Sequence, residues 1–224
     1  VLDALSEYAG DFVVATAGPD LESVLAAKGA GAVEYSRRTG STVLHMDIGG
    51  GTSNLALIRD GKILQTGCFN VGGRLIKLGE NGKISYLSPV LSPIVSCKVG
   101  DILDKSVGME IAEMLAQVLE MAAGRRAPTQ LMAQFLTEEA AKPWEPPEAA
   151  VVSFSGGVAD CIEKEHSYLE FGDLGPLLGK AIRQSALCHG KYVLGEETIR
   201  ATVIGAGSYS TQLSGSTVHH QNVQ

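Results

Sequence analysis

Apolar and polar positions along the chain switch between a period of two and a period near 3.6, and the switches outline an alternating α/β order. Thr42–Ile48, Ser53–Arg59 and Lys62–Val71 read as three strands, and Asp60-Gly61 between the second and third is a strong two-residue hairpin signal. Upstream, Phe12–Ala15 predicts a short strand ending in Ala17-Gly18-Pro19, after which Asp20 caps a helix over Leu21–Arg38. Ala26, Ala27, Gly29, Ala30, Gly31 and Ala32 make that helix small on nearly every face. Glycine inside a helix costs about 1 kcal/mol relative to alanine, so the composition predicts close packing against another backbone.

Downstream, Gly72-Gly73 turns the chain into a short helix around Arg74–Leu78, and Glu80-Asn81-Gly82-Lys83 starts a hairpin through Ile84–Leu87 and Ile94–Cys97. From Ser106, the spacing of Met109, Ile111, Met114, Leu115, Val118 and Leu119 predicts an amphipathic helix, with a second over Thr129–Ala141. Pro143, Pro146 and Pro147 form a stiff linker around Trp144. Ala149–Ser155 is a buried strand ending in Gly156-Gly157, with a helix beyond. Leu174–Leu187 is another helix, and Ile199–Ile204 a final strand into Gly205-Ala206-Gly207. The tail after Gly215 is polar and reads as mobile.

Composition narrows the class. With 224 residues, 45% hydrophobic and 19% charged, the chain is globular and long enough for one large domain or two small ones. A net charge of −7 argues against a nucleic-acid or anionic-membrane partner. The longest apolar runs fall well short of the roughly 20 residues a membrane helix needs. No basic start with an apolar core suggests a secretion signal, and a beginning at Val1 is expected of a processed or excised chain. Cys68, Cys97, Cys161 and Cys188 form no CxxC pair, so they read as reduced cysteines rather than a zinc site or disulfide framework.

The chemistry concentrates at Asp47-Ile48-Gly49-Gly50-Gly51-Thr52-Ser53. An apolar strand ends on an acid, three glycines turn the chain without side chains, and a second strand pairs back. Consecutive N–H groups in such a turn make an anion-binding concavity, and glycine lets a ligand approach the main chain. Asp47, at a strand end, is placed to hold a metal or its waters, as acids do in phosphoryl-transfer sites. A plain glycine-rich hairpin is the alternative. A second motif, Ser155-Gly156-Gly157-Val158-Ala159-Asp160, again joins a buried strand to a helix start, where α/β sheets bind ligands. Glycines there would let a flat adenosine lie on the backbone, and a packing role for them is equally open.

Four features in this order resemble the second half of the actin-like ATPase fold shared by sugar kinases, actins and heat-shock chaperone ATPases. Leu21–Arg38 is similar to its first crossover helix, Asp47–Thr52 to its second phosphate motif, Phe154–Ala159 to its adenosine motif and Ala201–Gly207 to its closing crossover. The fold class implied is an α/β, ribonuclease H-like lobe: a mixed five-stranded sheet flanked by helices, with an inserted helical and hairpin subdomain at about 74–147. Residues 1–40 would be the last strand and crossover helix of a truncated first lobe, and 41–224 the second lobe.

A narrower resemblance rests on Leu21-Glu22-Ser23 with Ala27-Lys28-Gly29, the stretch from Asp47 to Asn54, Asn70-Val71-Gly72-Gly73-Arg74-Leu75, Phe154 to Cys161, and Ile199 to Gly207. Together they resemble the reactivating factors of ethanolamine ammonia-lyase. That family implies a bacterial, cytoplasmic, ATP-dependent chaperone, associated with the ethanolamine microcompartment, that helps a coenzyme B12 enzyme exchange damaged cobalamin for adenosylcobalamin. It implies ATP and Mg2+ as cofactors and the lyase as partner; a homo-oligomer stays open. Backbone N–H groups of Gly49, Gly50, Gly51, Thr52 and Ser53 would hold phosphates, with the Thr52 and Ser53 hydroxyls adding donors, Asp47 would hold a magnesium-bound water, and Gly156, Gly157 and Val158 the adenosine. No counterpart of the superfamily's first phosphate motif is present, so the chain is expected to be a fragment that lacks half of the ATP contacts. An exopolyphosphatase-type phosphohydrolase and a nucleotide-binding filament or scaffold protein are the alternative readings.

Other residues read as structural. His45 alternates into the buried strand as a satisfied core histidine. Cys188-His189 point apart on a helix. Asp101, Asp104, Glu138 and Glu139 fit solvated surface patterns, and Arg125-Arg126 complement a helix end, with clamping of an adenine from a subdomain as the alternative. Arg74, behind Gly72-Gly73, is the better polar candidate near a nucleotide. No Asp-x-His-x-x-Gly cobalamin signature occurs.

Overall fold

Pro19–Gly29 forms α1 and Ala32–Thr39 forms α2, at the start of the described residues, which are 19–137, 144–195 and 201–205 of this computed structural model. The single helix expected over Leu21–Arg38 is thus two. Gly31 adopts φ 77°, a left-handed conformation that ends the first helix and starts the second.

The sheet follows from β1 (Val43–Ile48), β2 (Ser53–Arg59) and β3 (Lys62–Phe69). The β2–β3 hairpin turns where the sequence signals it: Asp60 and Gly61 both take positive φ, 50° and 72°, as a type I′ turn requires. β6 (Val151–Ser155) and β7 (Lys191–Leu194) complete a five-stranded sheet of order β3-β2-β1-β6-β7. β2 runs antiparallel to β1 and β3, whereas β6 and β7 run parallel to β1. This mixed order is the ribonuclease H-like arrangement expected of an actin-like lobe.

Alternation sorts the two faces. Leu44, Met46, Ile48, Leu55, Val152 and Phe154 point into the larger core. There α3 (Lys105–Ala122) lays Ile111, Leu115, Val118 and Leu119 against the sheet, alongside α6 (Gly175–Gln184). Each such fully buried aliphatic side chain contributes about 1.5–3 kcal/mol. The opposite face carries a smaller core of Ala27, Ala32, Val43, Ala56, Ile58 and Val151 beneath α1 and α2. In register with these, the same face bears His45, Asp47, Asn54, Ser153 and Ser155.

Several local expectations change. After a 3-10 turn at Gly73–Leu75, residues Ile76–Leu78 form strand β4 rather than a helix, and β4 pairs with β5 (Ile84–Leu87). Ile94–Cys97 is not a strand; its neighbours at 91–95 make tight turns, with Ile94 N–H donating to Leu91 O. α3 is capped by Asp104, whose carboxylate accepts from Ser106 N–H at 2.8 Å. α4 (Gln130–Phe135) is shorter than expected, and the rest of that stretch lies outside the described residues. Trp144 is no free linker: its indole N–H donates to Ala122 O at 2.9 Å and its ring stands edge-on to Phe69. α5 (Asp160–Glu163) follows the second glycine pair.

β7 has no counterpart in the sequence reading, because Lys-Tyr-Val-Leu is too short to show a period. Residues 201–205 are helical (α7), not a strand. Small Ala201 and Gly205 let that turn lie backbone-to-backbone on α1. The expected strand at Phe12–Ala15, Glu138, Glu139, Ile199, Arg200 and the tail after Gly215 lie outside the described residues. All four cysteines are unbridged.

Candidate functional site

β1 and β6 are adjacent and parallel, so their carboxyl ends bring the two glycine turns together. The link is one carbonyl. Ile48 O, the last of β1, accepts Val158 N–H at 3.2 Å, and a side chain on Gly156 (φ 86°) would lie 2.3 Å from that same oxygen. Only glycine permits both the conformation and the approach.

The phosphate-type turn is held from behind. Gly73 N–H donates to Gly49 O at 3.1 Å and Arg74 N–H to Gly50 O at 2.6 Å. Gly72-Gly73 is therefore a buttress: a Cβ on Gly72 would meet Gly50 O at 2.4 Å. The Arg74 stem lies over Gly50, and its head reaches Asp173 at 3.6 Å. Two expected donors are already engaged. Gly49 N–H bonds Thr52 O within the turn at 3.0 Å, and the Ser53 hydroxyl donates to Val71 O at 2.7 Å. Val158 N–H is likewise committed to Ile48. The open surface of the pair is Gly50, Gly51, Thr52 and Gly157; nothing lies within 4 Å of a Cβ built on Gly51 or Gly157.

Asp47 stands beside this surface at the end of a directed chain of hydrogen bonds. Ser155 O–H donates to Asp47 Oδ1 at 2.5 Å. Its oxygen is then free to accept from His45 Nε2 at 3.1 Å, which leaves His45 Nδ1 to accept from Ser153 O–H at 3.1 Å. The carboxylate can only accept, so the polarity runs from Ser153 through His45 and Ser155 to Asp47, with the imidazole neutral and protonated on Nε2. His45 is a satisfied core histidine, fully buried.

Burial drives the Asp47 pKa up, and Glu22 adds to the rise; the hydrogen bonds from Ser155 and Thr202 oppose it. Glu22 on α1 accepts from Asn54 Nδ2 at 3.3 Å, whereas the buried Asn54 Oδ1 has no partner. Glu22, Asn54, Ser155 and Thr202 were not singled out as site residues by sequence. Asn54 was legible: in a hairpin turning at 49–52, the residue opposite Asp47 is Asn54. Glu22 and Thr202 carry no such signal, since α1 and α7 meet Asp47 only through tertiary packing.

Hard oxygen donors gather here: two carboxylates and one unpartnered amide oxygen. Among the described residues no three His, Cys, Asp or Glu side chains cluster. The set thus suits a cation that keeps waters and takes its remaining ligands from a phosphate, the habit of magnesium.

The remaining candidates are structural. Arg125 donates to Ala149 O at 2.7 Å, and Arg126 pairs with buried Glu120, which also accepts Ala186 N–H. Burial pushes the Cys188 thiol up to about 11, which removes it as a nucleophile beside His189.

Burial also lowers the His45 pKa from 6.5 to about 3. Folded protein therefore holds His45 neutral where the unfolded chain protonates it, and stability falls as pH drops below 6.5. Between pH 7.5 and 5 this one group accounts for roughly 2 kcal/mol. Asp47, with its raised pKa, acts in the opposite sense above its ordinary carboxylate range. Urea midpoints at the two pH values, compared with those of His45→Gln, isolate the histidine; equal pH dependence in both proteins would refute the assignment.

The family profile described as "Ethanolamine utilisation protein EutA" matches residues 1–224. The chain is 39% identical over 230 residues to the ethanolamine ammonia-lyase reactivase EutA of Salmonella typhimurium, covering 99% of this chain and 48% of that protein. It is 39% identical over 233 residues to the reactivase of the same name from Escherichia coli K12, with the same coverage. The chain thus spans about half the length of the curated relatives it matches. A solved exopolyphosphatase-like protein superposes with a TM-score of 0.47 at 13% identity, over 88% of this chain and 66% of its own. Among the described residues no helix is long and apolar enough to cross a membrane.

Proposed function

The chain belongs to the EutA family of ethanolamine utilisation proteins, and from that premise we propose that it is the nucleotide-binding half of an ATP-dependent reactivase of ethanolamine ammonia-lyase. The observation that carries the reading is the sharing of Ile48 O by both glycine turns, with Asp47 one residue before it. The relatives' name, ethanolamine ammonia-lyase reactivase, supplies the partner enzyme. Exchange of damaged cobalamin for adenosylcobalamin, in the bacterial cytoplasm and in association with the ethanolamine microcompartment, is the biological role the reading assigns.

In this reading Gly50 and Gly51 N–H groups and the Thr52 hydroxyl hold the phosphates, Gly157 presents a bare backbone to the adenosine, and Arg74 covers the turn. Gly49, Ser53 and Val158 shape these surfaces rather than donate to the ligand. Asp47, Glu22 and Asn54 Oδ1 would hold Mg2+ through waters, and the metal would neutralise charge developing on the phosphates. Ser155 and Thr202 aim the Asp47 carboxylate, and no nucleophilic side chain is needed, because positioning and electrostatics carry phosphoryl transfer. The other half of the full-length protein, matching the uncovered length of the relatives, would close over the turns. Closure transmits a signal to the lyase only as far as nucleotide binds the closed form more tightly.

The test is capture of ethanolamine ammonia-lyase by the full-length protein, with ATP, with ADP and without nucleotide. Nucleotide-dependent capture is expected. Failure to capture the lyase in every nucleotide state would overturn the partner, and failure of the full-length protein to bind nucleotide would overturn the site.

A further inference from the structure

Away from the glycine turns, a cavity of about 380 Å³ opens between α5, the loop after it, and the outer flank of α6. In a chain of net charge −7, it gathers cations. Lys105, Lys164, Lys180 and Arg183 all line it, against the carboxylates of Glu163 and Glu165. Among the described residues, none of the four cations is within ion-pair distance of a carboxylate. Glu163 is engaged by the Tyr192 hydroxyl.

The arrangement is unfavourable on its own terms. Lys180 and Arg183 lie three apart on α6, a spacing at which like charges repel. Lys105 is the first residue of α3, where the helix dipole disfavours a cation. Two rims are nevertheless held in place: Lys105 lies over the Tyr168 ring at 5.9 Å and Arg183 over Tyr192 at 5.5 Å. His166 also lines the cavity, and its Nδ1 bonds Glu170 at 3.0 Å.

We propose that this cavity binds a small anion carrying two or more phosphate-type charges, at a site separate from the glycine turns. Four cations against two carboxylates leave an excess matched by a pyrophosphate-like ligand. The volume falls in the range of small-molecule pockets, and the concave shape suits such a ligand better than an extended acidic peptide. No residue from 49–53 or 156–158 lines the cavity, so the two sites separate by mutation.

The probe is inorganic pyrophosphate, titrated calorimetrically into the chain carrying Gly51→Asp. A Cβ at that position meets no atom within 4 Å, and the substitution sets a carboxylate in the phosphate-type turn. The Gly51→Asp chain is expected to bind one pyrophosphate. Adding Lys164→Gln and Lys180→Gln, whose side chains make no ion pair or ring contact among the described residues, should weaken binding at least about tenfold without lowering the melting temperature. Undiminished affinity in the triple variant would overturn the cavity. So would binding by the unsubstituted chain that disappears with Gly51→Asp alone, an outcome that leaves the glycine turn standing as the anion site.

Discussion

Asp47→Asn in the full-length protein should lower Mg2+-dependent ATP hydrolysis by roughly two to three orders of magnitude, the scale of losing one preorganised electrostatic contact in a phosphoryl-transfer site. The fold should not suffer. Asparagine keeps the shape, its Oδ1 can still accept from Ser155, and a carboxylate whose pKa burial raises is a charge the folded state already disfavours. The melting temperature should therefore hold or rise slightly while turnover collapses. A second readout separates metal from phosphate. The increment in ATP affinity produced by Mg2+ should vanish, while metal-free affinity at Gly50, Gly51 and Thr52 is retained. Turnover near the unsubstituted rate would remove Asp47 from the chemistry, and a large drop in melting temperature would reassign it to the fold.

How far the sequence carries this site depends on the range of each contact. The turn at Gly49–Gly51 and its flanking strands were legible because hairpin registry is local: Ile48 meets Ser53 and Asp47 meets Asn54 by counting outward from the turn. The Gly156-Gly157 turn was legible as a strand end. That it shares a carbonyl with β1 is a fact of sheet order, and no pattern within either segment records it. Which donors stay open is illegible for the same reason. Gly49 and Ser53 look like ligand groups in a linear motif, yet folding engages both, one within its own turn and one with Val71 across 18 residues of chain. The small-residue helix was read correctly as a backbone contact surface, whereas its break at Gly31 was not. A left-handed glycine and a packing glycine look alike in sequence, and here they sit two residues apart. Likewise, the short β7 and helical 201–205 owe their state to neighbours, a sheet edge in one case and α1 in the other.

That contact between α1 and α7 supports the largest stability prediction. A Cβ built on Gly29 would lie 1.6 Å from Ala201 O, and one on Gly205 would lie 2.0 Å from Leu25 O. In both cases the obstacle is backbone, which no rotamer change can relieve, so the two segments must separate. Gly29→Val should cost about 3 kcal/mol, the upper end of overpacking effects. In a protein of this size that lowers the melting temperature by roughly 6–12 °C. Gly51→Ala is the control for glycine loss itself, because its Cβ enters open space; it should shift the melting temperature little. The damage should also reach the site. Thr202 sits one residue after Ala201 and hydrogen-bonds Asp47, so forcing α7 away from α1 withdraws one of the two hydroxyls that aim the carboxylate. The full-length Gly29→Val protein should accordingly lose part of the Mg2+-dependent increment in ATP affinity even at temperatures well below its melting point. A melting temperature within about 2 °C of the parent would show that α1 and α7 do not pack through their backbones, and the role given to Thr202 would fall with that contact.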